Sequence, residues 1–309
     1  ITTEFILAGL SEVPEYQIYL FLAFLLVYVI SVSGNLCLIM AYNLSSNLQN
    51  PMYFNLANFS FTEICYISVI VPKMLANFLD ERKTISFYGC RAQMFFLLLF
   101  GSVECYMLAV MAYDRYNAIC HPLLYVTLMS RKVCIQLISI TWIVSAANAL
   151  VENILTFNLP FCGRKRINHF CCDVPPVLEL ACTDTWANEI VLFVLAGCVI
   201  IGSCLLILLS YIKIIVAILT IHSRSGRKKA FSTCASHFTV VSIFYGSAIF
   251  MYFRPRSSYS MGQDRLASLM YTIIAPLLNP FIYSIRNNDV KSALVLRTSL
   301  PPDRRRTGA

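Results

Sequence analysis

Seven stretches of this chain are apolar for long enough to cross a bilayer, and no other feature limits its possible folds so much. A spanning helix needs about 20 mostly apolar residues. The stretches at 18–43, 51–78, 87–120, 132–154, 188–219, 230–253 and 265–285 meet that requirement. The second is the least uniform, with Glu63 in its middle and Pro72-Lys73 near its end. A composition 58% hydrophobic and only 13% charged, with mean hydropathy +0.68, excludes a soluble globule of 309 residues. The connections are too short for a separate soluble domain, and neither a repeat nor a low-complexity tract is present. The expected fold class is therefore an all-α membrane protein. It would be a seven-transmembrane-helix bundle over residues 1–292, followed by a cytoplasmic tail at 293–309.

Residues 1–17 are polar, carry Glu4, Glu12 and Glu15, and do not have the form of a cleavable signal peptide. The first helix is expected to serve as the targeting signal. Orientation is poorly marked by lysine and arginine, which divide almost evenly between the two sides. Cysteines mark it better. Of 13 cysteines, several stand singly inside helices as small buried apolar residues. Cys162, Cys171, Cys172 and Cys182 instead crowd the connection between helices four and five, and Cys90 opens helix three. Disulfides persist on the lumenal or extracellular side, so this connection should face outward, which puts the amino terminus outside and the carboxyl terminus inside. A zinc site using His169 is the rival reading, but no tight Cys-x-x-Cys pair accompanies the cluster. The basic run Arg304-Arg305-Arg306 reads as a solvated tail or as an attraction to anionic lipid.

Asp114-Arg115-Tyr116 places a permanent guanidinium at the inner edge of helix three, where charge is costly. Glu63 and Glu104 fall near mid-membrane on helices two and three, with Asn35 and Asn279 able to face them. Buried carboxyls of this kind point into the bundle, so the group is either a structural hydrogen-bond cluster or an ion site. Further out, helix three offers Leu97, Leu98, Gly101 and Ser102. Helix six offers Tyr245, Ala248, Ile249 and Tyr252 at helical spacing, and helix seven adds Thr272. Such walls form a small apolar cavity with a few hydroxyls, suited to a small molecule. The Tyr252 phenol is expected to reach a ligand, with Tyr245 deeper on the same face. No carboxylate stands on helix three near Leu97, so an amine would lack a counter-ion and a neutral organic ligand fits better.

Three motifs carry a resemblance. Asp114-Arg115-Tyr116, Asn279-Pro280-Phe281-Ile282-Tyr283 and Gly34-Asn35 resemble the rhodopsin-class G-protein-coupled receptors. Four further stretches resemble the vertebrate odorant receptors. They are Pro51-Met52-Tyr53-Phe54, the segment Met111 to Cys120, Lys229 to His237, and Pro276 to Pro280 running on to Ser284-Ile285-Arg286-Asn287. The long cysteine loop with Pro175-Pro176 looks like the non-fish-like class of that family. Departures are Asn117 where the family usually has valine, Cys171 for a common phenylalanine, and Glu63 for a more frequent aspartate.

The resemblance implies disulfides Cys90–Cys172 and Cys162–Cys182, with Cys171 unpaired. It also implies a polar network among Arg115, Tyr211 and His237, because the foot of helix six reads Arg227-Lys228-Lys229 and offers no acid to hold the arginine. Asp114, Arg115, Tyr116, Tyr211, His237, Asn279, Pro280 and Tyr283 would then form the activation switch. Implied partners are a small odorant, the lipid bilayer and a heterotrimeric G protein of the stimulatory olfactory type, acting at the plasma membrane through cyclic AMP. No cofactor, metal or nucleic acid is expected. An enzyme is disfavoured, since no His-Glu-x-x-His occurs and the histidines are scattered. Helix seven has no lysine for a retinal Schiff base. A channel or transporter is the alternative, though paired halves with broken helices are not visible in the sequence.

Overall fold

The computed structural model describes residues 3–10, 13–163, 165–220, 223–253 and 261–285, apart from several side chains near the start of the sixth helix and the end of the seventh. Seven long helices carry the fold: α1 (Pro14–Leu44), α2 (Pro51–Leu79), α3 (Phe87–Cys120), α4 (Arg131–Phe157), α5 (Trp186–Leu219), α6 (Arg224–Tyr252) and α7 (261–285). Helix α1 begins at Pro14, four residues ahead of the apolar run. A proline at the first helical position already has the right φ and gives up an N–H that would be unpaired anyway. Helix α2 uses the same device at Pro51, and Asn50 accepts the Tyr53 N–H at 3.1 Å. Ser86 caps α3 by accepting from the Gly89 N–H at 3.0 Å.

Packing ranks the helices. In its most apolar window α3 is 72% buried and α1 only 17%, so α3 is the axis of the bundle and α1 lies against lipid on most of its face. Helix α3 packs on α2, α4 and α5. Helix α1 closes the ring against α2 and α7, where Gly34 meets Pro280. A Cβ on Gly34 would stand 2.8 Å from the Pro280 Cβ, so any larger residue there would push α1 and α7 apart. The Ser31 hydroxyl donates to the Pro276 carbonyl across the same contact at 3.2 Å.

The outer face is closed by chain that the sequence reading left unstructured. Residues Glu4–Leu7 form strand β1, antiparallel to β2 (Thr84–Ser86) and parallel to β3 (Arg166–Ile167). The polar reading of residues 1–17 therefore needs correction. Phe5 and Leu7 are fully buried, and the Phe5 ring packs edge-on against Phe161. Both inner-edge crossings α1–α2 and α3–α4 are short. The tail from residue 286 onward, including Arg304 to Arg306, lies outside the described residues.

Candidate ligand cavity and cytoplasmic arginine site

The loop between α4 and α5 is drawn onto the top of α3. Cys90 is bonded to Cys172, and Cys162 to Cys182, while Cys171 is free and buried. The Cys172 N–H donates to Gln93 Oε1 at 3.0 Å, and the Gln93 amide donates to the Val69 carbonyl at 3.1 Å. The next residue, Asp173, is thereby held over the bundle and is fully buried. Its carboxylate accepts from the Val174 N–H (2.8 Å), the Tyr252 hydroxyl (3.1 Å) and the Tyr271 hydroxyl (3.2 Å). Burial pushes the Asp173 carboxyl above its usual range, and these three donors pull it back. Beside it, burial lowers the His169 imidazole to about 4, and its Nδ1 accepts the Cys171 N–H at 3.4 Å.

Below this lid lies a cavity of about 480 Å³ of empty space, its mouth included. Leu97, Leu98, Gly101 and Ser102 of α3 line it, with Ala248 and Tyr252 of α6. Three residues expected in the wall stand elsewhere. Tyr245 sits beneath the floor, its hydroxyl 2.9 Å from the Cys105 carbonyl and 2.7 Å from Ser203 Oγ. Ile249 follows Ala248 by one position, a turn of about 100° around the helix, and packs against the core instead. Thr272 is buried against its own helix, donating to the Ser268 carbonyl at 2.6 Å.

The last displacement has a local cause. Residues Met270–Ile274 form a π-helical turn, and within it Tyr271 rather than Thr272 stands on the cavity wall. Helix α5 has a second such turn at Gly197–Ile201, and it presents Val199 and Ile200 to the cavity. The Tyr252 phenol, expected to meet ligand, is engaged with Asp173.

The charge expectation also changes. Glu152 and Asn148 of α4 line the cavity, so a carboxyl is present after all, on a helix the sequence reading did not consider. Glu152 is 4% exposed; the Asn148 amide donates to its Oε1 at 3.4 Å, and its Oε2 has no partner among the described residues. The signal was there to read, because an intramembrane carboxylate is uncommon wherever it falls. Asp173 had a weaker signal, its place directly after the lid cysteine.

Deeper in the bundle, Glu63 and Glu104 are buried near each other, close enough for their charges to interact. The Asn279 amide donates to Glu63 Oε1. Asn35 does not join them, since its amide donates to the Ser31 carbonyl in its own helix at 3.0 Å.

At the inner end, Arg115 is mostly buried and hydrogen-bonds Tyr211 of α5. The Tyr211 hydroxyl lies 2.6 Å from His237 Nδ1 on α6, with the two rings stacked at 5.6 Å. Asp114 accepts instead from Tyr125, in the short turn after α3, at 3.0 Å. Tyr116 faces away, its hydroxyl 3.1 Å from His121 Nε2 and its ring under the Lys213 ammonium at 5.4 Å. Pro280 lies within α7 and presses on Gly34. The side chain of Tyr283 lies outside the described residues.

The family model described as "Olfactory receptor" matches residues 24–299. The chain is 50% identical to olfactory receptor 5AR1 of Mus musculus, over 95% of this chain and 94% of the relative. It is 50% identical to olfactory receptor 5G3 of Homo sapiens (95% and 93% covered) and 49% identical to olfactory receptor 5I1 of Homo sapiens (97% and 96%). A cavity beneath a disulfide-pinned lid and a buried arginine at the opposite end thus occur in a chain that belongs to the olfactory receptor family, multi-pass membrane G-protein-coupled receptors and not enzymes.

Proposed function

We propose that this receptor binds a small, mostly apolar odorant in the cavity under the α4–α5 lid and activates a stimulatory, olfactory-type G protein. The observation that carries this reading is that one helix serves both ends. On α6, Tyr245 touches the cavity floor through the Cys105 carbonyl, while His237, roughly 12 Å further in, holds Tyr211 beside Arg115. A ligand that displaces the floor shifts α6, and a shift of α6 pulls His237 from Tyr211. Arg115 then exchanges its resting partner for the G protein, a rigid-element switch. Asp114, held by Tyr125, keeps the base of α3 in place during that exchange. The Glu63–Asn279 hydrogen bond ties α2 to α7 and passes the same motion to the Pro280 segment.

The test is a panel of chemically diverse odorants applied to purified receptor with stimulatory G protein in lipid vesicles, read as nucleotide exchange. Ligand-dependent exchange is expected. Solute flux in vesicles without G protein, and no exchange with it, would sink the proposal in favour of a channel or transporter.

A further inference from the structure

Among the described residues, the cavity wall contains one ionisable acid, Glu152, and no lysine, arginine or histidine. The rest is largely aliphatic and aromatic, with Leu97, Leu192, Ala196, Val199 and Phe244 forming the apolar part. Glu152 is almost completely buried, and Oε2 lacks a hydrogen-bond partner among the described residues. Its Oε1 has only the long 3.4 Å contact from Asn148. A second acid, Asp173, lies within electrostatic reach, but it is satisfied by the Val174 N–H and by the Tyr252 and Tyr271 hydroxyls. The two acids thus differ in what they lack. Asp173 is a finished part of the lid, whereas Glu152 brings a buried, unpaired acceptor to the wall of a mostly apolar cavity.

We infer that Glu152, assisted by Asn148, is the recognition point for the ammonium group of a small aliphatic amine whose hydrocarbon tail fills the apolar part of the cavity. This rests on the reading that the cavity is the ligand site. The reason is chemical. An ammonium supplies both the hydrogen-bond donors that Oε2 lacks and a positive charge beside the Glu152 carboxyl. An alcohol supplies one donor and no charge. A carboxylate ligand brings no donor for Oε2 and places a second acid group beside Glu152. A buried acceptor left unpaired also penalises ligands with no donor, so the same atom that favours amines rejects hydrocarbons.

Binding of hexylamine, hexanol, hexanoic acid and heptane to the full receptor in lipid nanodiscs at neutral pH tests the assignment. Hexylamine should bind roughly 10–100-fold more tightly than hexanol, the scale of a charge-assisted hydrogen bond. Hexanoic acid should bind most weakly of the polar ligands. Glu152→Gln should bring the amine level with the alcohol and improve the acid, while hexanol binding reports that the variant is folded. Glu152→Asp should retain part of the amine preference. Equal binding of amine and alcohol to the unaltered receptor overturns the proposal, as does an amine preference that survives Glu152→Gln. The unaltered receptor decides the matter even if the variant fails to fold. Ala248→Phe, which fills the cavity, separates the two levels: it should abolish binding of every ligand. Undiminished binding there would mean that the cavity itself is misassigned, whereas loss of binding with no amine preference in the unaltered receptor would refute only the role of Glu152.

Discussion

The outer and inner ends of this bundle are held together by different kinds of bond. At the outer end the chain is locked: two disulfides, a three-stranded sheet and a carboxylate gripped by two tyrosines fix the lid over the cavity. At the inner end Arg115, Tyr211 and His237 meet through hydrogen bonds between three separate helices. A covalent bond keeps one geometry. A hydrogen bond beside a guanidinium is readily exchanged for another of similar strength. The end proposed to recognise a ligand is thus rigid, and the end proposed to change partners is built from exchangeable contacts.

The largest effect expected from breaking this contrast is at the inner end. Arg115→Ala should leave ligand affinity nearly unchanged, yet lower nucleotide exchange to that of receptor-free vesicles. Both quantities are to be measured on the same purified variant, and normal exchange would make the arginine a structural residue.

Next in size is the outer lock. Removing a native disulfide typically costs about 2–5 kcal/mol, and the chain-entropy model weights it by loop length. Cys90 and Cys172 are 82 residues apart in sequence, Cys162 and Cys182 only 20. Cys90→Ser should therefore destabilise by about 1 kcal/mol more than Cys162→Ser in thermal unfolding of the detergent-solubilised receptor. The reverse order would mean that the long bridge adds little to the lid.

A smaller effect concerns His169 in the same lid. Its folded value near 4 lies below the ordinary 6.5, so the unfolded chain takes up the proton first as pH falls. The stability contributed by the neutral ring is complete above about pH 6.5 and is lost as pH drops toward 4, a change on the order of 3 kcal/mol. His169→Gln should flatten that part of the stability profile. The facing groups are the Cys171 amide and Arg265, and Arg265 adds to the depression. An unchanged slope in the variant would assign the acid sensitivity to another group.

The smallest change sits between the two ends. Tyr245→Phe removes the hydroxyl shared with the Cys105 carbonyl and Ser203, a net contribution of about 0.5–1.5 kcal/mol. The maximal response should fall while half-maximal ligand concentration moves little. A change confined to ligand affinity would place Tyr245 in the recognition end instead.

The seven helices were legible because length and apolarity are local properties that a bilayer reads directly. So were Leu97, Leu98, Gly101 and Ser102, which repeat on a straight helix. Thr272, a single residue taken from helix seven with no spacing behind it, falls within the π-helical turn at Met270–Ile274, where its neighbour Tyr271 faces the cavity. Asp173 was only faintly legible, for another reason. Its partners lie 79 and 98 residues away, and only the closure of the Cys90–Cys172 bridge sets which loop residue meets them. Glu152 was legible and overlooked, since it falls near the end of the fourth apolar run, where a carboxylate reads as facing the membrane surface. The structure puts that position inside the bundle wall.

The two π-helical turns have a further consequence for how such a molecule can diversify. Gly197–Ile201 and Met270–Ile274 both sit in helices that run from the lid to the inner face, with cavity residues at or above the turn. Each wide turn acts as a phase adjuster between two halves of one helix. Side chains on the outward half can be exchanged without altering the angular setting of the inward half, where Tyr211 and Asn279 must keep their bearings. Deleting one residue from the regular winding inward of either turn would swing the remaining inward half by about 100°, whereas the wide turn holds a residue that can be lost without that swing. The same inner machinery is thereby free to serve many differently shaped outer chambers.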